Sequence, residues 1–150
     1  MGAAAVYRNI LIATDGSELA GKALTQGLRL AKALGARVTA VTVTEPWATS
    51  APPEVLSEPL VQEFEKAAAA GAEKVLSVVD AKAKEAGVPC STRHIRDRFA
   101  AEGILEAARD IGCDLIIMAS HGRRGFAKLL LGSQTTEVLA HSAVPVLIYR

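Results

Sequence analysis

Five short strand-like runs alternate with four longer helical patterns, and this alternation constrains the fold more than any other feature of the sequence. Most of the runs are almost wholly apolar, which is typical of parallel strands that helices cover on both faces. The strands are predicted at residues 9–14, 37–43, 88–95, 114–118 and 145–149, and the helices at residues 18–34, 60–86, 100–111 and 133–141. This order predicts an α/β fold with a parallel sheet between two helical layers. At 150 residues, the chain is expected to form a single domain, residues 1–150.

Local signals predict where the helices begin and end. Ser17 and Ser133 are each expected to be the N-cap of the helix that follows them, because a serine hydroxyl accepts a hydrogen bond from an exposed helical N–H. A glycine follows each of the first three helices and is expected to end it. Four prolines between residues 44 and 59 predict a surface loop that leads into the second helix.

The stretch that points to a function is residues 119–133, with the sequence ASHGRRGFAKLLLGS. It follows the apolar run of the fourth strand, contains no carboxylate, and leads into the last helix. Its glycines allow a close approach of the backbone, and its cations are Arg123, Arg124 and Lys128. A glycine-bearing basic loop before a helix N-terminus is a place to hold an anion, because unpaired amides and the helix dipole both favour negative charge.

A second segment is predicted to meet this loop. Ligands of open α/β sheets bind at the carboxyl ends of the strands, where the strand order reverses. If the fourth strand returns beside the first, Asp15 after the first strand and residues 119–125 after the fourth strand lie at one crevice.

Two other nucleotide- or nucleic-acid-binding motifs and the overall charge limit the classes of ligand that this segment is expected to bind. The Walker A motif needs a lysine before Ser133, and Gly132 stands there. The run from Gly122 to Gly125 also fits the GXXG of KH domains, but that module has a different order of helices and strands. The formal net charge is +1, which argues against a general polyanion binder. We therefore expect a local anion site and no nucleic-acid partner.

The sequence also predicts the cellular setting. Cys90 and Cys113 form no CxxC pair, so neither a zinc knuckle nor a thioredoxin-type motif is expected. The N-terminus lacks the features of a signal peptide, and no apolar run approaches the length that crosses a bilayer. We expect a cytoplasmic protein with no membrane partner.

Three segments of the chain closely resemble the universal stress protein (UspA-like) family. They are NILIATDGSELAGKAL at the start, VTVTEP after the second strand, and DLIIMASHGRRGFAKLLLGSQTTEVLAHSAVPVLIY at the end. The most specific part is the ATP-binding pattern of the family, G-x-x-G, nine residues, then G-S or G-T. Its spacing is intact here, but Ala119 replaces the first glycine. The resemblance implies a flavodoxin-like, three-layer α/β/α fold with a five-stranded parallel sheet in the order 3-2-1-4-5, and the ATP-binding subclass.

The resemblance also implies roles for particular residues. Ala13, Thr14 and Asp15 would line the nucleoside end, and Asp15 would lie near the ribose or a metal ion. Val43 would meet adenine through its backbone. The residues that would wrap the ribose and phosphates are Ala119, His121, Gly122, Arg123, Arg124 and Gly125. The residues that would hold phosphate at the start of the last helix are Gly132, Ser133, Gln134 and Thr135.

Several of these residues have a second interpretation. Asp15 beside a polyanion suggests Mg²⁺, but an aspartate also suits a helix-entry turn. Gly122 and Gly132 suit a phosphate cradle or an ordinary turn. His121 is a candidate general base or a loop histidine. A methyl group at Ala119 is harmless at negative φ and costs about 1–2 kcal/mol at positive φ.

Three functions follow as hypotheses. The first is a universal stress protein that binds ATP, or AMP or ADP, with Mg²⁺ and regulates an unknown protein partner without efficient catalysis. Because an unpaired apolar edge strand invites association, its subunits are expected to pair through residues 144–149 about a two-fold axis. The second is a slow ATPase or phosphotransfer enzyme. The third is a nucleotide-free dimeric interaction module whose site is degenerate at Ala119.

Overall fold

A computed structural model describes residues 6–47, 52–55, 57–122 and 131–150. The strands are β1 (Asn9–Ala13), β2 (Arg37–Thr44), β3 (Cys90–Arg96), β4 (Leu115–Ala119) and β5 (Val146–Tyr149), and the helices are α1 (Glu18–Leu34), α2 (Glu58–Ala86), α3 (Ala100–Ile111) and α4 (Ser133–His141). The five strands form one sheet in the order β3-β2-β1-β4-β5, and every pairing is parallel. The predicted fold class and strand order are confirmed.

Each face of the sheet carries its own hydrophobic cluster, because successive side chains of a strand point to opposite faces. On one face, Ile10 and Ile12 of β1 pack with Leu24 and Leu28 of α1 and with residues of α2. On the other face, Leu11 of β1 packs with residues of α3 and α4. All residues of β1 and β4 are buried. These two strands therefore form a rigid centre, and the segments that leave their carboxyl ends start from fixed positions.

The predicted start of α1 and the predicted helix stops are confirmed. The Ser17 hydroxyl oxygen accepts a hydrogen bond from the N–H of Ala20 at 3.3 Å. Gly35 follows α1 with φ 65°, a left-handed conformation that glycine adopts without a Cβ clash. Gly87 and Gly112 follow α2 and α3 in the same conformation.

The prediction for the start of α4 is wrong. Gly132, with φ −71° and ψ 160°, is the N-cap, and Ser133 is the first residue of the helix. The reason lies outside the local sequence, because the Gly132 N–H donates to the carbonyl oxygen of Ser120 at 2.7 Å. This bond holds Gly132 in the extended conformation that an N-cap requires.

Helix α2 and strand β3 begin two residues away from the predicted positions. Helix α2 begins at Glu58 rather than residue 60, because Pro59 lies in the first turn, where a missing N–H costs nothing. Strand β3 begins at Cys90 rather than residue 88. The Val88 N–H donates to the Ala83 carbonyl oxygen at the end of α2, so Val88 belongs to the helix end. The bounds of the other four strands differ from the prediction by one residue.

The predicted loop at residues 44–59 is irregular where the structure describes it. It contains one turn of 3-10 helix at Pro53–Val55, while residues 48–51 and 56 lie outside the described residues. Trp47, the single tryptophan of the chain, packs edge-on against Phe64 of α2 with ring centroids 4.8 Å apart. None of the helices among the described residues has the length and apolar content that a membrane span requires.

Helix α3 packs on the sheet through a glycine, and this contact gives a stability prediction. A Cβ at Gly103 would lie 2.8 Å from Cγ1 of Val43 and 3.2 Å from Cγ2 of Ile95. Both neighbours are β-branched and have few alternative rotamers. We therefore expect Gly103→Ala to lower the free energy of unfolding by about 1–3 kcal/mol, measured by chemical denaturation.

Gly71→Ala is the matched control for this substitution. Gly71 is exposed in the interior of α2, and a Cβ there would meet nothing within 4 Å. The same change at Gly71 should raise the free energy of unfolding by about 0.5–1 kcal/mol, because alanine is the better helix former. If both variants were stabilised alike, the close packing of α3 on β2 would be contradicted.

Candidate functional site

The strand order brings the ends of β1 and β4 to one crevice. The two strands pair in parallel with Ile12 opposite Ile117, so their chains leave the sheet at the same edge. After them, Asp15 and Gly122 come so close that a Cβ on Gly122 would collide with the carboxylate of Asp15. Gly122 has no left-handed φ. The lack of a side chain, rather than backbone freedom, is therefore what this position requires.

The turn after β1 fixes the carboxylate of Asp15. Its Oδ1 accepts a hydrogen bond from the Ser17 N–H at 2.9 Å. The Thr14 N–H donates to the Val41 carbonyl oxygen at 2.9 Å, and the Thr14 hydroxyl accepts from the Gly16 N–H at 3.2 Å. Oδ1 of Asp15 thus stabilises the turn that leads into α1. Asp15 is also partly exposed at the crevice.

The two ends of the segment between β4 and α4 are joined at Ser120. Its carbonyl oxygen accepts from the Gly132 N–H at 2.7 Å and from the buried Thr135 hydroxyl at 3.0 Å. The same hydroxyl lies 3.1 Å from the carbonyl oxygen of Ala119. A Cβ at Gly132 would lie 3.3 Å from the Ser120 oxygen and 3.5 Å from Cα of His121. Gly132 therefore also permits a close approach of two backbone segments.

The first turn of α4 presents backbone donors beside this junction. The first intrahelical bond runs from the Thr136 N–H to the Gly132 carbonyl oxygen at 3.0 Å, and the N-cap residue Gly132 has no side chain with which to cap the helix. In the described part of the chain, the N–H groups of Ser133, Gln134 and Thr135 have no hydrogen-bond partner. Such a helix end carries a partial positive charge and attracts anions.

The side chains of the same turn make contacts within the protein. Gln134 Oε1 accepts a hydrogen bond from the Ala101 N–H of α3 at 2.8 Å, and Thr135 is bonded to the end of β4. The backbone N–H groups of these two residues are therefore the groups most available to a ligand.

The remaining predicted residues near the crevice are mostly buried. Ala13, Thr14 and Ala119 are 7–8% exposed, and the side chain of Val43 packs toward Gly103 of α3. Among the described residues other than glycine, only Asp97 has a positive φ. Ala119 therefore avoids the left-handed conformation, and its methyl group adds no backbone strain.

The structure describes His121 but not the basic residues of the loop. Arg123, Arg124, Gly125 and Lys128 lie outside the described residues. The Nδ1 atom of His121 lies 3.4 Å from the carbonyl oxygen of its neighbour Gly122. No carboxylate forms a hydrogen bond or ion pair with His121 within residues 6–47, 52–55, 57–122 and 131–150.

The side chains that could act as metal ligands determine which kind of metal site is possible. Among the residues that the structure describes, no three His, Cys, Asp or Glu side chains are grouped so that they could hold a metal ion. Asp15 is a single carboxylate at the crevice. This set fits Mg²⁺, which is commonly held by one or two carboxylates together with substrate phosphates and water, and it does not fit a metal site made of protein ligands alone.

Comparison with known proteins gives matches along almost the whole chain. The model of the universal stress protein family matches residues 6–150. A universal stress protein of Thermus aquaticus is 36% identical over 145 residues, which cover 97% of this chain and 100% of that protein. The structure of the universal stress protein UspA from Lactobacillus plantarum superposes with a TM-score of 0.83 at 26% identity and covers 96% of this chain and 98% of that one.

Two more distant structures contain adenine nucleotides. One is a universal stress protein in complex with cAMP, with 22% identity, a TM-score of 0.68, and coverage of 96% of this chain and 97% of that one. The other is the universal stress protein from Archaeoglobus fulgidus in complex with dAMP, with 17% identity, a TM-score of 0.69, and coverage of 97% and 99%. At these identities, the likeness shows a shared fold.

Proposed function

Because the chain belongs to the universal stress protein family, we propose that it binds an adenine nucleotide at the carboxyl ends of β1 and β4. The observation that carries this proposal is the first turn of α4, whose N-cap Gly132 has no capping side chain and which the bond between Gly132 and Ser120 holds beside the β4 end. The backbone amides of this turn have no hydrogen-bond partner among the described residues, and such amides suit the phosphates of a nucleotide. The cAMP and dAMP complexes of distant relatives support the adenine base.

Each part of the nucleotide has a proposed contact. The backbone N–H groups of Ser133, Gln134 and Thr135 bind phosphate oxygens, and Gly132 allows the approach. Asp15 faces the ribose hydroxyls or a metal ion, and the backbone of Val43 faces adenine. The other proposed contributors to the site are Ala13, Thr14, Ala119, His121, Gly122, Arg123, Arg124 and Gly125.

We propose Mg²⁺ as the companion ion because Asp15 would otherwise repel the phosphates. Asp15 would supply one carboxylate oxygen, and the phosphates with water would complete the coordination shell. The ion would neutralise charge on the phosphates. Affinity for the triphosphate should therefore depend on Mg²⁺ more strongly than affinity for the monophosphate.

The protein is proposed to act as a cytoplasmic, single-domain, dimeric regulator rather than as an efficient enzyme. This proposal is supported by His121, to which no carboxylate is bonded among the described residues, since a general base is usually oriented by such a partner. Binding that orders the crevice would shift the population of conformations that a regulatory protein partner recognises. The change in partner affinity cannot exceed the difference in nucleotide affinity between those conformations.

Calorimetric titration with ATP, ADP, AMP and cAMP, each with and without Mg²⁺, tests the proposal. We expect saturable binding of at least one adenine nucleotide with a free energy on the order of −7 kcal/mol. Guanosine triphosphate and inorganic phosphate are the controls for base recognition and for simple anion binding. Absence of heat with every adenine nucleotide, from protein shown to be folded, would reject the proposal.

Assays on the same purified protein distinguish the proposed function from the two alternative functions. A slow ATPase would release phosphate from ATP, and replacement of Asp15 or His121 would abolish the release while binding survived. A degenerate site would bind nucleotide only after Ala119→Gly. Because Ala119 carries no left-handed strain, we expect this substitution to leave the affinity within about threefold of the original value.

A further inference from the structure

The N-terminus of α3 is capped by a side chain from another helix. Its N-cap residue is Phe99, which makes no side-chain cap bond. Instead, Oε1 of Gln134 in α4 accepts the Ala101 N–H at 2.8 Å. Ala101 is buried, so its N–H would lose its hydrogen bond without Gln134, and water could replace the bond only poorly. The contact therefore couples the first turns of the two helices.

The first turn of α4 is held from three directions. Gln134 attaches it to α3, the Thr135 hydroxyl attaches it to the end of β4, and the Gly132 N–H attaches it to Ser120. The backbone N–H groups of this turn are the proposed phosphate donors. Hydrogen bonds to an anion depend on distance and angle, so anything that fixes the turn also fixes the geometry of binding.

We propose that Gln134 is a positioning residue of the nucleotide site, whose side chain stays on Ala101 and contacts no ligand atom. The proposal rests on the nucleotide binding proposed above. It assigns the Gln134 backbone N–H to the phosphate and the side-chain oxygen to α3. By reciprocity of coupled equilibria, a bound nucleotide should in turn stabilise the bond between Gln134 and Ala101.

Two substitutions at this position separate positioning from ligand contact. Gln134→Met removes the acceptor at similar length, whereas Gln134→Glu keeps an acceptor and adds a negative charge. If the side chain only holds α3, the glutamate variant should lose less affinity than the methionine variant, because its oxygen still accepts from Ala101 and its charge opposes the phosphates only through space. The methionine variant should lose about tenfold in affinity, the effect of one lost hydrogen bond at a partly buried donor.

The experiment combines calorimetry with ATP and Mg²⁺ and hydrogen exchange of the Ala101 amide followed by NMR. The Ala101 amide should exchange slowly in the wild type and in Gln134→Glu, and fast in Gln134→Met. Addition of ATP should slow this exchange further in the wild type and in Gln134→Glu, which a purely structural role would not produce. Gln26→Met, the same change at an exposed position of α1, is the control and should alter neither readout.

The outcomes distinguish this inference from the proposed function. If the wild type binds and Gln134→Glu binds more weakly than Gln134→Met, the side chain faces the phosphates and the inference is overturned. Equal affinity of all three proteins also overturns it. If the wild type binds no adenine nucleotide, the proposed function fails and the inference fails with it. Should Gln134→Met not fold, retained affinity and ATP-dependent protection in Gln134→Glu would still support the inference, and their loss would overturn it.

Discussion

Gly122→Ala is expected to reduce the affinity for an adenine nucleotide by about 100-fold while lowering the stability of the fold only slightly. The new methyl group would collide with the carboxylate of Asp15. That carboxylate cannot retreat easily, because its Oδ1 is bonded to the Ser17 N–H at the start of α1. Either Asp15 or the backbone after β4 must move, and both line the proposed site. Gly122 is exposed, so little packing is lost, and the unfolding free energy should fall by about 1 kcal/mol, the effect of weakening the bond between Asp15 and Ser17.

A double-mutant cycle shows whether the collision is the cause. Asp15→Ala removes the carboxylate, so adding Gly122→Ala to it should cost no further affinity, and the two effects should be strongly non-additive. Gly21→Ala, a position where a Cβ meets nothing within 4 Å, should bind normally. Additive losses, or an affinity of Gly122→Ala within threefold of the wild type, would show that the loop does not need to approach Asp15 closely.

The sequence predicted the fold well where short-range rules determine structure. The apolar strands and the glycines that end helices, such as Gly35, are determined by residues close in sequence. Their positions can therefore be predicted from the local sequence pattern. The resemblance implied the order of the strands. The N-cap of α4 was predicted wrongly because, in a Gly–Ser pair, serine is the preferred N-cap residue. The hydrogen bond that makes Gly132 the N-cap instead is donated to Ser120, which is distant in sequence.

The crevice could be predicted in outline but not in its internal contacts. Once the resemblance supplies the strand order, the reversal of that order brings Asp15 and the residues after β4 together. The bond from Gln134 to Ala101 spans 33 residues, and a glutamine in the first turn of a helix ordinarily faces water. Thr135 is likewise a polar helix residue whose burial no sequence period reveals. A tertiary hydrogen bond of this kind becomes visible only when the helices are in place.

The two edges of the sheet differ in a way that favours association through β5. The edge strand β3 carries polar and charged residues, Arg93 and Arg96 among them, whereas β5 has the sequence VLIY. Ile116 and Ser120 donate to the carbonyl oxygens of Pro145 and Tyr149. Since backbone groups alternate in direction along a parallel ladder, those of Val146 and Ile148 point to the open edge. An apolar edge without charges invites a second strand.

Leu147→Lys is therefore expected to weaken the proposed homodimer by at least about 100-fold. Leu147 is 43% exposed at the β5 edge, and a pairing strand would bury the new ammonium group beside its own copy across the two-fold axis. Two like charges and their desolvation oppose such an interface. Sedimentation equilibrium should show a dimer for the wild type and a monomer for the variant.

Thr92→Lys on the opposite edge strand is the matched control, because Thr92 is exposed on β3 and receives the same charge. It should leave the dimer intact, and its net charge equals that of Leu147→Lys. Equal dissociation of both variants would mean that added charge alone separates the subunits and that β5 holds no interface. A wild type that sediments as a monomer at micromolar concentration would contradict pairing through residues 144–149 directly, and the apolar β5 edge would then need another cover.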